Sequence, residues 1–256
     1  MYMNVKYILL LLIISLLSCN NRNSVKDILP RSSFLKIEKE VRVKLCHPQK
    51  KDLCMHKKFG AVASGVVVEV TNVGAYALTA GHVCSDKDAK NFLKNYEHEM
   101  IFNVLDINKK SFPVKVIAID QANDLCILRV QGIKKPAVRI ASRSPQPGDR
   151  AYNLAAPTGI FDKNMIPIFE GFFSGSSENR SIYSIPAKGG SSGSPILNHE
   201  GELIGMVSAA FVHFPNLAVS PKYEETIGFI KNTIYLDRIR KESTNVISLL
   251  KNIFTF

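Results

Sequence analysis

Short apolar runs separated by turn residues recur along most of this chain, and they constrain its fold more than any other feature. The run at 63–70 (ASGVVVEV) is rich in β-branched residues, and Asn72 and Gly74 mark a turn before the next run at 75–80. Runs of this length and composition are typical of β-strands. Further strands are predicted at 34–45, 114–119, 125–130, 150–154, 166–173, 180–185, 194–197, 202–210 and 216–220. The sequence therefore predicts an all-β sandwich or barrel.

The pattern changes after Ser220, where apolar residues recur at helical spacing. Ser220 followed by Pro221 is a favourable helix start, because serine caps the first turn and proline suits its first position. We predict one helix over 221–240 and a second over 243–255.

Two polar segments interrupt the strands. Residues 142–149 (SRSPQPGD) contain two prolines and one glycine, and they are the best candidate for a boundary between two halves. Residues 85–99 are polar and of mixed charge, which predicts an insertion between strands.

Composition excludes several classes of protein. Of the 256 residues, 46% are hydrophobic and 21% are charged, so the chain is not intrinsically disordered. No apolar stretch reaches the roughly 18 residues of a membrane-spanning helix. The net charge is 33 − 22 = +11, but no basic run is long enough for a nucleic-acid patch, and we expect no nucleic-acid partner.

The amino terminus has the features of an export signal. Lys6 precedes an apolar run at 8–17, and the run ends in LLSC at 16–19, which resembles a lipobox with Cys19 as the lipidated residue. A simple cleaved signal and an uncleaved anchor remain as alternatives. A lipid on Cys19 would attach the protein to a membrane of the cell envelope. Cleavage without lipidation would instead give a secreted protein.

Four cysteines remain after Cys19, an even number that suits two disulfides in an oxidising compartment. Cys46 and Cys54 flank a polar stretch and could close a hairpin, which would leave Cys84 to pair with Cys126. A metal site that uses the neighbouring histidines and free buried thiols are the alternatives, although the spacing does not match the usual zinc patterns.

Three motifs carry residues suited to nucleophilic catalysis. TAGHVC at 79–84 contains His82 at the end of a strand, and NDLCILRV at 123–130 contains Asp124 at the start of one. GSSGSP at 190–195 places Ser192 in a glycine-rich loop. The order His, Asp, Ser is the order of chymotrypsin-like enzymes and differs from that of subtilisins and α/β-hydrolases.

From about residue 40 to 230, the three motifs resemble those of the trypsin-like serine peptidases, especially the short HtrA-type bacterial and phage branch without a PDZ domain. GSSGSP differs from the family's GDSGGP at Ser191 and Ser194. The resemblance implies two Greek-key β-barrels packed around a catalytic cleft, with a C-terminal α-helix, and no cofactor or metal. Ser191 stands where digestive members carry the aspartate that binds a freed amino terminus, so we expect activity without zymogen cleavage.

The resemblance implies a role for each motif residue. Ser192 is the expected nucleophile, His82 the general base and acid, and Asp124 the group that orients the imidazole. The backbone N–H groups of Gly190 and Ser192 are expected to form the oxyanion hole.

Substrate recognition is expected beside this loop. Pro186 occupies the position at which trypsin carries an aspartate, so a P1 lysine or arginine is not expected, and a small to medium apolar P1 residue is. Lys188 and His213 leave an acidic P1 residue as an alternative. The segment at 207–210 matches the family's substrate-pairing edge strand. The expected substrate-binding residues are Pro186, Ser208, Ala209, Ala210 and Leu217.

Together, these features predict an exported serine endopeptidase that acts on proteins or peptides. A catalytically silent barrel that serves as an envelope binding module is the alternative, and an α/β-hydrolase-type esterase is disfavoured by the motif order. The expected divisions are a signal peptide with lipobox at 1–19, a tether at 20–35, an N-terminal barrel at 36–141, a linker at 142–149, a C-terminal barrel at 150–220 and a helical segment at 221–256.

Overall fold

The computed structural model describes residues 24–46, 54–85, 93–94, 96–211 and 213–254. Fourteen strands form two curled seven-stranded sheets in this part of the chain. The predicted signal peptide at 1–19, with Cys19, lies outside the described residues. Among the helices that are described, none combines the length and apolar character needed to cross a membrane.

The N-terminal sheet contains the first seven strands in the spatial order β5-β4-β1-β2-β3-β7-β6. All of its neighbouring strands are antiparallel. The strands are β1 (Phe34–Cys46), β2 (Cys54–Thr71), β3 (Gly74–Ala80), β4 (Glu97–Leu105), β5 (Ser111–Phe112), β6 (Val114–Asp120) and β7 (Leu125–Gln131).

The C-terminal sheet contains the other seven strands in the spatial order β12-β11-β8-β9-β10-β14-β13, which leaves β13 at an edge. The strands are β8 (Arg150–Leu154), β9 (Ile168–Ser176), β10 (Ser181–Tyr183), β11 (Pro195–Leu197), β12 (Leu203–Met206), β13 (Ala209–Phe211) and β14 (Phe214–Ser220). The all-β prediction with two barrels and a C-terminal helix is confirmed.

Burial explains which strands the sequence predicted. Every residue of β3 is buried, and β7 is buried from Leu125 to Leu128. β4 was not predicted from the sequence, and its first residues, 97–99, were assigned to the polar insertion at 85–99. Val104 is the one buried residue of β4, so its sequence lacks the apolar pattern that identifies a strand.

The C-terminal segment forms α3 (Tyr223–Phe254), preceded in the chain by the short helices α1 (Val25–Ile28) and α2 (Gly81–Cys84). The prediction of two separate helices after Ser220 was wrong. No glycine or proline interrupts the polar stretch near residue 242, and the Ser243 hydroxyl donates to the carbonyl of Ile239 within the helix. The Ser220 hydroxyl does not cap this helix, because it accepts a hydrogen bond from the Met206 amide and donates to Pro221.

The described part of the predicted tether is ordered and packs on the body of the protein. It contains α1 and a 3₁₀ turn (Arg31–Ser33), and Leu29 and Ser33 are buried. Gly201 approaches the carbonyl of Ile28 so closely that no side chain fits there. The sequence suggested a solvated tether because the apolar residues that anchor this segment are few.

Two disulfides join Cys46 to Cys54 and Cys84 to Cys126, as the sequence analysis suggested. The first closes the β1–β2 hairpin, in which the two cysteines are direct cross-strand partners. The second joins residues 42 positions apart, with a Cα–Cα distance of 6.5 Å. Disulfides of this kind indicate folding in an oxidising, extracytoplasmic compartment.

Candidate active site

His82 lies in α2, directly after the end of β3. The Gly81 amide donates to the carbonyl of Asp124 at 2.8 Å, which holds the start of α2 against the segment that precedes β7. A Cβ atom on Gly81 would lie 3.0 Å from the backbone of Asp124, so the close approach favours glycine. The His82 side chain is half exposed at this position.

Asp124 accepts hydrogen bonds from both the side chain and the backbone of His82. The imidazole Nδ1 lies 2.9 Å from Oδ2, and the His82 amide donates to Oδ1 at 2.7 Å. Asp124 adopts a positive φ of 56°, an uncommon backbone conformation that is tolerated by aspartate. Burial alone would raise the pKa of Asp124, but the hydrogen bonds from His82 and Ser208 outweigh it and lower the pKa below its ordinary value.

Ser208 contributes to this arrangement in a way that the sequence analysis did not predict. Its hydroxyl donates to Asp124 Oδ2 at 2.5 Å, and its amide donates to the carbonyl of Val219 at 2.8 Å. The C-terminal sheet thereby holds the carboxylate that the N-terminal sheet presents. Ser208 was predicted as a substrate contact, but its side chain is directed at the carboxylate.

Ser192 lies in a tight loop before β11. Gly190 and Gly193 flank it with φ values of 95° and 84°, which are accessible to glycine but rarely to other residues. A side chain on Gly193 would overlap the Ser64 carbonyl and the Thr79 hydroxyl, and it would lie 3.0 Å from the Ala80 amide. Ser192 is therefore held beside Ala80, the last residue of β3, and Ala80 lies two residues before His82 in the sequence. Within the described part of the chain, its hydroxyl makes no hydrogen bond.

The backbone of the loop has a defined orientation. The carbonyl of Gly189 accepts a hydrogen bond from the Thr158 amide at 2.6 Å. Because the C=O and N–H of a trans peptide point in opposite directions, the Gly190 N–H is directed away from Thr158. Among the described residues, neither the Gly190 nor the Ser192 amide has a hydrogen-bond acceptor, so both donors are available.

Ser64 on β2 connects the two halves at this loop, and the sequence analysis missed it. It is fully buried. Its hydroxyl donates to the carbonyl of Gly190 at 2.8 Å and accepts from the Ala156 amide at 3.0 Å. Its amide donates to the carbonyl of Ser192 at 2.8 Å. A serine in a β-branched strand gives no signal for this role, since the partners are distant in sequence.

The two serines that depart from the family motif are buried beside Ser192. Ser194 Oγ accepts a hydrogen bond from the side-chain amide of Asn153 at 2.7 Å. The Ser191 amide donates to the carbonyl of Lys188 at 2.8 Å. Hydrogen bonds within the loop thus hold the backbone at Ser191, the position at which digestive members of the family carry an aspartate.

A cavity of about 460 Å³ opens beside the loop. Pro186 lines it as predicted, but Leu217, Ser208, Ala209 and Ala210 are not among its lining residues. Its walls are formed by Pro157, Thr158, Ile160, Phe169, Pro186, Ala187, Lys188, Pro215 and Asn216. None of these described residues carries a carboxylate, and Lys188 is exposed. His213 lies in an exposed turn outside this lining.

Ala209 and Ala210 belong to β13, the edge strand of the C-terminal sheet. One side of β13 pairs with β14, with Ala209 opposite Val219 and Ala210 opposite Ala218. An edge strand has backbone groups that can pair with an extended peptide.

Comparisons with known proteins agree with this geometry. No curated protein sequence matches the chain. Its fold is similar to that of the serine endoprotease from Yersinia pestis, at 18% sequence identity and a TM-score of 0.60. It is also similar to the HtrA-type protease AlgW with a decapeptide, at 17% identity and a TM-score of 0.63. Each comparison covers 83% of this chain and 67% of the other chain.

The family comparison is more specific than the structural one, because identities below one fifth show a shared fold alone. The sequence model described as trypsin-like peptidase domain matches residues 63–206, which include all three motifs. The described residues form two sheets and a terminal helix, with no PDZ domain among them. The chain belongs to the trypsin-like serine peptidases.

Proposed function

We propose that this protein is an exported serine endopeptidase that uses Ser192, His82 and Asp124 and forms an acyl-enzyme intermediate. The observation that carries the proposal is the carboxylate of Asp124, which holds His82 Nδ1 while the loop of Ser192 packs against the end of β3. A carboxylate that orients an imidazole, which in turn serves a serine, is the arrangement that activates a weakly acidic hydroxyl.

In the proposed reaction, each step has a residue that can perform it. Asp124 fixes the proton on Nδ1, so the free Nε2 of His82 accepts the Ser192 proton as Oγ attacks the substrate carbonyl carbon. The resulting imidazolium then protonates the leaving amine as the peptide C–N bond breaks. Water, deprotonated by the same imidazole, attacks the ester and releases Ser192.

The oxyanion that forms in each attack requires donors directed at it. The amides of Gly190 and Ser192 are candidates, because neither has an acceptor among the described residues and the Gly189–Thr158 hydrogen bond fixes the Gly190 peptide. An oxyanion donor of this kind is worth roughly 2.7–4 kcal/mol of barrier.

Proteolysis of an unfolded protein tests the proposed function. We expect the full-length protein, with its disulfides intact, to cleave reduced casein at internal bonds and to generate new amino termini detectable by mass spectrometry. Intact casein after prolonged incubation with folded, oxidised protein would favour the envelope binding module.

The cavity predicts the P1 residue. Because it is lined by Pro186, Ala187 and Phe169 and by no described carboxylate, we expect faster cleavage after small or medium apolar residues than after lysine or arginine. Peptides that differ at P1 alone would measure this through kcat/KM. Preference for lysine or arginine would contradict the assignment, and fastest cleavage after glutamate would assign recognition to Lys188.

Ser64 should act as a positioning residue. The substitution Ser64→Ala leaves the buried Gly190 carbonyl and Ala156 amide without a partner, which costs about 1–3 kcal/mol for each group. We expect kcat to fall by about 100-fold with little change in KM, because a shift of the loop near 1 Å weakens transition-state contacts.

Ser33→Ala is the matched control for Ser64→Ala. Ser33 is also fully buried, but its hydroxyl has no hydrogen-bond partner among the described residues. We expect wild-type kcat and unfolding free energy for Ser33→Ala. Equal kcat values for Ser64→Ala and Ser33→Ala would show that Ser64 does not position the loop.

Export and lipidation complete the proposal. The two disulfides support folding outside the cytoplasm, and the motif at 16–19 supports a lipid on Cys19. We expect the protein expressed in a bacterium to incorporate labelled palmitate, and Cys19→Ala to lose the label while the protein is still produced. A labelled Cys19→Ala protein would contradict the assignment.

A further inference from the structure

A second cavity lies between the N-terminal sheet and α3. It has a volume of about 360 Å³ and is lined by Lys115, Val116, Ile117, Arg129, Asp237, Arg240 and Lys241. Four basic side chains and one acidic side chain give a formal charge of 4 − 1 = +3 for this lining. None of these residues belongs to the candidate active site.

The acidic residue is already engaged by groups around it. Asp237 is buried, accepts the Tyr76 hydroxyl at 2.5 Å and forms an ion pair with Arg129. Lys241 Nζ lies 3.4 Å from the same carboxylate. Burial would raise the pKa of Asp237, but the hydrogen bonds from Tyr76 and Arg129 outweigh it and lower the pKa. The single negative charge is therefore shared by two cations, and Lys115 is a further, exposed cation of the lining.

Arg129 adds a guanidinium to the lining of the cavity, and its side chain is 20% exposed. Guanidinium groups are strong hydrogen-bond donors to phosphate oxygens, so Arg129 makes this basic cavity suited to a phosphate group.

Apolar side chains are exposed on the same helix. Tyr235, Leu236 and Ile239 have exposures of 63%, 58% and 42%, respectively. Leu236 lies four residues before Arg240, so the two side chains are neighbours on the helix surface. A helix that presents large apolar residues beside basic ones is typical of proteins that lie on an anionic membrane surface.

We propose that this surface binds an anionic phospholipid bilayer, with a headgroup phosphate in the basic cavity and Tyr235, Leu236 and Ile239 in the interfacial layer. The positive charge of the cavity favours a phosphate group. The exposed apolar residues of α3 favour the phosphate of a phospholipid over a free anion. Electrostatic attraction and shallow apolar insertion together give reversible binding that weakens with salt. The inference does not depend on the proposed peptidase activity.

Covalent footprinting of Lys115 tests the proposal in the full-length chain. Lysine acylation is measured by mass spectrometry with phosphatidylcholine vesicles and with vesicles that also contain phosphatidylglycerol. Since the apolar amino terminus can attach to both, the readout is the labelling of Lys115 relative to exposed Lys163. We expect phosphatidylglycerol to reduce Lys115 labelling severalfold, and high salt to restore it.

Variants separate the two parts of the surface. Arg240→Gln should reduce the protection of Lys115, and so should Leu236→Ser combined with Ile239→Ser. Val73→Ser is the control, because Val73 is 68% exposed in a turn between β2 and β3 and does not line the cavity. Circular dichroism would confirm that every variant is folded.

Three results would overturn the proposal. The first is equal Lys115 labelling with the two vesicle types. The second is equal protection by soluble glycerol phosphate, which would assign the site to a free anion. The third is a dimer without vesicles that Leu236→Ser converts to a monomer, since a second copy of the chain would then cover the apolar residues.

Discussion

Replacing Ser192 with alanine should reduce kcat for peptide hydrolysis by about 10⁶-fold, because the nucleophile of the proposed reaction is lost. The loop should keep its shape in this variant. Its glycine conformations and the Ser64–Ser192 backbone hydrogen bond do not involve the Ser192 hydroxyl. The kinetic effect should therefore be accompanied by an unchanged unfolding free energy.

Ser174→Ala is the matched control for Ser192→Ala, since Ser174 is an exposed serine on β9 outside the loop. Steady-state hydrolysis of the peptide with the most favourable P1 residue measures both variants. Retention of more than a small fraction of kcat in folded Ser192→Ala protein would show that another group attacks the substrate.

Asp124→Asn should reduce kcat by about 10⁴-fold at neutral pH. The carboxylate accepts from His82 Nδ1, and its lowered pKa keeps it charged, so that it also stabilises the imidazolium. An amide can donate to Nδ1, which moves the imidazole proton to Nε2 and leaves no acceptor for the Ser192 proton. KM should change little, because Asp124 does not line the cavity beside the Ser192 loop.

Asp162→Asn is the matched control for Asp124→Asn, because it removes a negative charge outside the candidate active site. Asp162 is exposed and pairs with Lys109 at 3.0 Å. Asp162→Asn should retain wild-type kcat. Equal activity of Asp124→Asn and the wild type would show that the His82–Asp124 contact is structural.

The sequence predicts the buried strands well, for a physical reason. β3 and the first four residues of β7 are buried on both faces, so the pattern that identifies them is clear, and the motifs of His82 and Asp124 occur at the end of β3 and the start of β7. Glycine and proline mark the turns. Two disulfides follow from an even number of cysteines and from the spacing of Cys84 and Cys126 after the two motif residues.

The contacts between the two sheets could not be predicted, because they depend on tertiary structure. Ser64 in β2 and Ser208 between β12 and β13 are ordinary small polar residues, and only folding brings them to Gly190 and Asp124. The cavity likewise receives Phe169 and Pro215 from separate strands. The length of α3 was underestimated because a polar stretch was interpreted as a break.

Fluorophosphonate labelling of the folded, oxidised protein is the sharpest test of the proposed active site, because the probe reacts with an activated serine and needs no matched substrate. We expect one labelled residue, Ser192, with labelling retained in Ser174→Ala and lost in Ser192→Ala. We also expect much slower labelling of Asp124→Asn. Absence of labelling in the wild type, or labelling that persists in Ser192→Ala, would contradict the proposed active site.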